Sequence, residues 1–215
     1  NIAINIRQQL LFEDKKGTSK LPPGATPDFY DTFLKEFDLE NTTITSEFDG
    51  VIGGGMGSSA SAAVAIVAAI NKYKKLNFTL DDIVRKAWDI EVNKIGLFGG
   101  VQDQIAAAYG GISVIEIKDN FNVISLNRQV GEKIASSLVL FSTGIERKDP
   151  KMQEGFKELS TDQIAALNQI KKFAAESLDP LCQGDIETVG RLMDVSWQLK
   201  KESNKGVSTS EIDEI

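Results

Sequence analysis

Apolar and polar residues alternate from the start of the chain. Ile2-Ala3-Ile4-Asn5-Ile6 and onward to about Phe12 has the period of two that predicts a strand with one solvated face. Asp14 to Lys20 is polar and breaker-rich, and Pro22-Pro23-Gly24 and Pro27 extend that loop. Asp28 to Glu36 has helical spacing, with Phe29, Phe33, Leu34 and Phe37 on one face. Thr42 to Phe48 alternates again and predicts a second strand. A glycine-rich run, Gly50 to Gly57, leads directly into a long small-residue helix, Ser58 to about Lys74. Thr79 with Asp82 forms a capping-box signature for the next helix, which carries Ile83, Ala87, Trp88 and Ile90 and ends near Lys94. Gly96 to Gly100 reads as a loop, and Gln102 to Tyr109 as a short helix stopped by Gly110-Gly111.

Ile112 to Ile117 and Phe121 to Leu126 predict a hairpin around Lys118-Asp119-Asn120, and Ser137 to Thr143 an apolar strand ending at Gly144. Beyond it the spacing is helical. Ser160 caps a helix with Ile164, Leu167, Ile170, Ala174 and Leu178 on one face, and Asp185 caps another with Val189, Leu192, Met193 and Trp197. The change of pattern near Ser137 sets the expected domains at 1–136 and 137–215. The chain opens on Asn1 already in a strand and closes at Ser208 to Asp213, a capped helix start (Ser208, Glu211) with no body after it. A segment of a longer protein is expected.

Composition narrows the chemistry. The 215 residues are 41% hydrophobic and 26% charged, enough for one large core or two small ones. A net charge of −7 argues against general attraction to nucleic acid or an anionic membrane. There is no histidine, which excludes Ser-His-Asp and Cys-His sites, His-ligated zinc and a histidine base. Acid–base work must fall to Asp, Glu, Lys or Tyr. The one cysteine, Cys182, can form no internal disulfide and reads as a small core residue. Ala60 to Ile70, the longest apolar stretch, is too short to span a bilayer, and no signal peptide is visible, so a cytoplasmic protein is expected.

Clustered glycines before a helix let backbone N–H groups approach an anion, and the helix N-terminus adds its dipole. Ser58 and Ser59 fall in the first turn, where hydroxyls can reach a phosphate or its magnesium. A Walker A loop is excluded, because no lysine lies between Gly50 and Asn71. A dinucleotide fingerprint fails too, with Ser58 where the third glycine belongs. By spacing alone, phosphate binding stands only somewhat ahead of a tight turn with Ser58 as an ordinary N-cap. Two carboxylates follow: Glu91 near a helix end and Asp103 just past Gly99-Gly100, flanked by Gln102 and Gln104. A kinase acting on an alcohol needs one carboxylate to hold Mg²⁺ and another to orient or deprotonate the hydroxyl. Taken singly, a lone glutamate such as Glu91 is usually a solvated helix residue, and an N-cap is a strong competitor for Asp103.

In combination these residues resemble the GHMP kinase family. Gly55-Met56-Gly57-Ser58-Ser59-Ala60 is similar to that family's phosphate loop, Pro-x-x-x-Gly-Leu-Gly-Ser-Ser-Ala, with Val51 or Ile52 where the proline is expected. Gly100 to Gly111, with Gln102-Asp103-Gln104 at its centre, resembles a stretch of the sugar-kinase branch and is nearest to its heptose 7-phosphate kinases. Phe141 to Arg147 resembles that branch's Thr-Gly-x-x-Arg segment. The likeness runs from about Thr42 to Ile215.

The resemblance implies an α+β architecture, a ribosomal protein S5 domain 2-like N-terminal domain followed by a GHMP kinase C-terminal α+β domain, incomplete at both ends. It implies ATP and Mg²⁺ as cofactors. Gly53, Gly54, Gly55, Met56, Gly57, Ser58, Ser59 and Ala60 would surround the phosphates. Ser59 and Glu91 would bind Mg²⁺, Asp103 would be the catalytic carboxylate, and Arg147 a weaker substrate contact. The family's N-terminal substrate motif would precede Asn1, and its C-terminal glycine-rich motif would follow Ile215. The activity expected is transfer of the γ-phosphoryl group of ATP to a hydroxyl of a sugar or sugar phosphate, a heptose 7-phosphate-like one favoured. The alternatives are a galactokinase- or fucokinase-like enzyme, or a non-catalytic relative that binds a ligand or partner. A nucleotide-dependent oxidoreductase is poorly supported by the glycine spacing.

Overall fold

Leu10 and Phe12 turn inward and Gln9 and Leu11 outward along β1 (Gln8–Glu13), as the alternation requires. The computed structural model describes residues 8–13, 17–49, 52, 54–97, 99–141, 143, 159–204 and 207–214; the start of the expected first strand, 1–7, lies outside them. β1 runs antiparallel to β2 (Thr43–Phe48), pairing Gln8 with Phe48 and Glu13 with Thr43. Lys20 bridges in parallel to Thr45 beside β2. The chain divides into two compact units, Asn1–Ile124 and Ser125–Ile215.

In the first unit three helices close over this ribbon. α1 (Pro27–Glu36) begins on a proline, whose missing N–H costs nothing in a first turn, and buries Tyr30, Phe33 and Leu34. α2 (Ser58–Lys74) buries Ala63, Ile66, Val67 and Ile70. α3 (Leu80–Asp89) starts from the Thr79–Asp82 capping box and buries Ile83, Val84 and Ala87. A 2.6 Å ion pair between Glu36 and Lys86 ties α1 to α3.

α3 does not end where its α-helical bonding ends. Ile90–Ile95 continue as a π-helical turn, closed by Gly96 at φ +84°. Such widened turns occur mostly as short insertions at functional sites, since their hydrogen-bond geometry is poor. α4 (Gln102–Tyr109) stops at Gly110 and packs on α2 and α3, with the Tyr109 hydroxyl donating to Asp81. Gln104 and Ile105 are its buried residues, and Ala108 packs against the core. β3 (Ser113–Ile117) and β4 (Phe121–Ser125) form the expected hairpin, and Arg85 of α3 stacks on Phe121.

In the second unit the described elements are helical: α5 (Arg128–Ser136), α6 (Thr161–Glu176), α7 (Leu178–Gln183), α8 (Ile186–Ser203) and α9 (Ser210–Asp213). Ser160 and Asp185 cap α6 and α8 as expected. The described residues of the strand expected over Ser137 to Thr143, 137–141 and 143, do not form one: Ser137 ends α5, and Leu138, Val139, Leu140 and Phe141 are exposed. An apolar run becomes a strand only where a neighbour takes its backbone hydrogen bonds, and among the described residues none does. α5 itself went unread, because Gly131 and a single buried apolar residue, Ile134, give it little pattern. Ala166 is the buried residue of α6, which packs on α8, while Ile164 and Ala174 are exposed, as are Leu178 of α7 and Met193 of α8. Cys182 is exposed rather than part of a core. At the last helix Thr209, not Ser208, is the cap. The division between units falls ahead of α5, which packs against α7 in the C-terminal unit. No described helix is long and apolar enough to cross a membrane.

Candidate active site

The glycine run ends at the N-terminus of α2 in the manner an anion site requires. Gly57 is the N-cap, in the left-handed region at φ +67°, and no side chain caps the helix. Ser58 is therefore inside the helix rather than capping it. The intrahelical ladder begins with Ser61 N–H to Gly57 O at 2.9 Å, so the N–H groups of Ser58, Ser59 and Ala60 lie ahead of it. No acidic residue occupies this first turn, so no side chain of α2 itself offsets the positive end of the helix dipole. Gly54 and Gly55 are exposed, Gly55 at φ +76°; Met56 and Ser58 are half-buried, Ser59 exposed and Ala60 buried. Gly53 and Arg147 lie outside the described residues.

Asp103 faces this end of the helix. A Cβ built on Gly57 would lie 3.5 Å from Cβ, Cγ and Oδ2 of Asp103. The carboxylate and the helix N-terminus thus share one small space, although 46 positions separate them in the sequence (103 − 57). Asp103 is not an N-cap. That position is Val101, and Asp103 is the second residue of α4, exposed at the surface.

Beneath lies Glu91, only 3% exposed, on the π-helical turn. Gln104 Nε2 donates to Glu91 Oε2 at 2.6 Å, and the Ser59 hydroxyl also bonds to this carboxylate. Burial pushes the Glu91 pKa up; the bonds from Gln104 and Ser59 pull the other way, and the nearby Asp103 charge adds to the rise. Among the described residues no lysine or arginine pairs with Glu91. A buried carboxylate is costly without a counter-charge.

A hard divalent cation is one group that could meet that deficit. Mg²⁺ takes oxygen ligands, retains waters and is commonly held by one or two carboxylates with substrate phosphates rather than by an all-protein cage. Ser59, Glu91 and Asp103 supply such oxygens. Among the described residues no group of three or more His, Cys, Asp or Glu side chains forms a denser metal site. Gln104, whose neighbour Asp103 carried the sequence argument, is 5% exposed and belongs to this cluster. Its only sequence signal was its place beside Asp103.

An apolar cavity of about 200 Å³ adjoins the helix start. Phe29 and Tyr30 of α1, Ile52, Ala62 and Leu97 form its walls, and Ser58 and Ser59 its polar edge. The loop bearing Leu97 is tethered through Trp88 Nε1, which donates to Gly99 O at 3.1 Å. No residue pattern along the chain announces this cavity, because α1 and Leu97 meet only in the folded unit.

Residues 28–111, which include Gly57, Glu91 and Asp103, match the family model of the GHMP kinases N terminal domain. Over 194 residues the chain is 29% identical to the D-glycero-alpha-D-manno-heptose 7-phosphate kinase of Campylobacter jejuni, covering 86% of this chain and 57% of that protein. The chain thus spans less than two thirds of that relative's length. Its fold is similar to the crystal structure of a D-glycero-D-manno-heptose 1-phosphate kinase from Bacteriodes thetaiotaomicron, with a TM-score of 0.72 at 23% identity, over 92% of this chain and 68% of that one. It is also similar to galactokinase from Lactococcus lactis, solved with galactose, with a TM-score of 0.66 at 13% identity, over 99% of this chain and 71% of that one.

Proposed function

We propose, from the match of residues 28–111 to the N terminal domain of the GHMP kinases, that the protein transfers the γ-phosphoryl group of ATP to a hydroxyl of a sugar or sugar phosphate. A heptose phosphate is the favoured acceptor, from the likeness to the Campylobacter jejuni kinase. The observation that carries the reading is the closeness of the Gly57 helix start to the Asp103 carboxylate, with the buried Glu91 below both.

The roles follow from this arrangement. The N–H groups of Ser58, Ser59 and Ala60 and the α2 dipole bind the phosphates, while the apolar cavity between α1 and Leu97 receives the flat base. Ser59 and Glu91 hold the cation, which when bound neutralises charge on the phosphates. Asp103 orients the acceptor hydroxyl and takes its proton. The hydroxyl oxygen then bonds to the γ-phosphorus as the bond to the β–γ bridging oxygen breaks, and ADP leaves with that electron pair. Arg147 is a further candidate for the acceptor's own phosphate, since guanidinium groups bind such oxyanions in pairs of hydrogen bonds.

Phosphotransfer by the full-length protein across a panel of sugars and sugar phosphates tests this, comparing wild type with Asp103→Asn. The variant is expected to retain its melting temperature and MgATP affinity and to lose roughly 10²- to 10⁴-fold in kcat, the usual range for a general base. Unchanged turnover would remove Asp103 from the chemistry. MgATP binding without turnover on any alcohol would replace the enzyme with a ligand-binding relative.

A further inference from the structure

The mechanism above gives no part to Gln104, yet this side chain is buried where a neutral amide is expensive to keep. It is 5% exposed, and its Nε2 makes a 2.6 Å bond to Glu91 Oε2. Its Oε1 is buried and has no hydrogen-bond partner among the described residues. An amide retained for structure alone ordinarily has both ends satisfied, because an unpaired buried oxygen costs the desolvation of that oxygen in full. A leucine or methionine of similar size would fill the same space between α4 and the π-helical turn without that cost. What a hydrocarbon cannot do is hold Glu91. The carboxylate lies on a turn of weak hydrogen-bond geometry, where torsional freedom of its side chain is otherwise limited by packing and the Ser59 hydroxyl. The amide N–H fastens one carboxylate oxygen from below while Ser59 approaches from α2.

We propose that Gln104 is a positioning residue for the divalent cation: its carboxamide locks the Glu91 carboxylate in the orientation that presents it, beside Ser59, to the metal. This rests on the kinase reading, and specifically on Glu91 as a cation ligand. Partners that orient a ligand in this way are worth about 10- to 100-fold in metal affinity or activity. The amide acts on the cation through Glu91, so it affects metal binding before it affects acceptor binding.

The test uses the full-length protein with a non-hydrolysable ATP analogue, and Mn²⁺ as the probe, its binding followed by loss of the free-ion EPR signal. Gln104→Met keeps the length and volume of the side chain and removes both amide functions. It is expected to bind Mn²⁺ about tenfold more weakly or worse, with analogue affinity in the absence of metal unchanged. In turnover assays the Mg²⁺ concentration for half-activity should rise while the KM for the acceptor stays constant, a split that a general loss of packing would not produce. Melting temperatures accompany each measurement, and Gln104→Leu repeats the test should the Met variant fold poorly. Mn²⁺ affinity and Mg²⁺ dependence within twofold of wild type in a folded variant, while Glu91→Gln weakens both, would overturn the proposal and leave the metal site standing. No Mn²⁺ binding by the wild type with the analogue would instead overturn the kinase reading, and the proposal with it.

Discussion

A methyl group at Gly57 would separate stability from catalysis. Gly57 has φ +67° at the N-cap of α2, a region that costs an L-residue roughly 1–2 kcal/mol. Replacing glycine also narrows the unfolded ensemble, which returns about 0.4–1 kcal/mol. The new Cβ would meet Asp103 Cβ, Cγ and Oδ2 at 3.5 Å, an ordinary van der Waals distance, so no clash adds to the cost. The net loss for Gly57→Ala is therefore about 1 kcal/mol, which in a chain of this length lowers Tm by roughly 2–4 °C. The functional consequence is much larger. The methyl would occupy the space between the helix N–H groups and the Asp103 carboxylate, where the acceptor hydroxyl must reach the phosphoryl group. Displacement of reacting atoms by about 1 Å commonly costs on the order of 10²-fold. Calorimetry and coupled ADP-release assays on the full-length protein would show a small Tm change beside a loss of kcat of about 100-fold or more. Turnover within about tenfold of wild type would show that the space is not used. A collapse of the fold would show that the steric account of Gly57 is wrong.

Glu91 makes the metal-free protein sensitive to pH. Its folded pKa is raised by burial, so the native state binds this proton more tightly than the unfolded chain does. Stability of the wild type should fall as pH rises from the ordinary glutamate value through the raised one, and then level off. Glu91→Gln, neutral throughout, lacks that decline. Its denaturant midpoint without metal should match wild type in acid and exceed it near neutrality; equal midpoints at every pH would refute the assignment. Thr79→Ala removes the hydroxyl that accepts from Asp82 N–H at 3.2 Å. The loss of this cap should cost about 1 kcal/mol, read by urea denaturation, while MgATP affinity is unchanged because α3's start lies outside the phosphate site.

The helices of the first unit were legible because each is specified within a few residues. Thr79 and Asp82 reciprocate each other's hydrogen bonds, Pro27 starts α1, and Gly110 stops α4. The same locality made the glycine loop and the Gln102-Asp103-Gln104 stretch visible as separate pieces of chemistry. The second unit was harder to read. Ile164 and Ala174 belong to an apolar helical pattern, yet the buried residue of α6, which packs on α8, is Ala166. Val139 to Phe141 is as apolar as any strand in the chain, yet it has no neighbouring strand among the described residues.

Local order along the chain determined that Ser58 would open a helix after glycines, that Asp103 would stand at the start of another, and that no histidine could share their work. Only the tertiary structure decided that these two helix starts face each other, that Glu91 is buried rather than solvated, and that Gln104 is the residue that holds it. Caps and periodicity act over one turn of chain, whereas the burial and charge of a side chain depend on every element packed around it, and for Glu91 those elements come from three different helices.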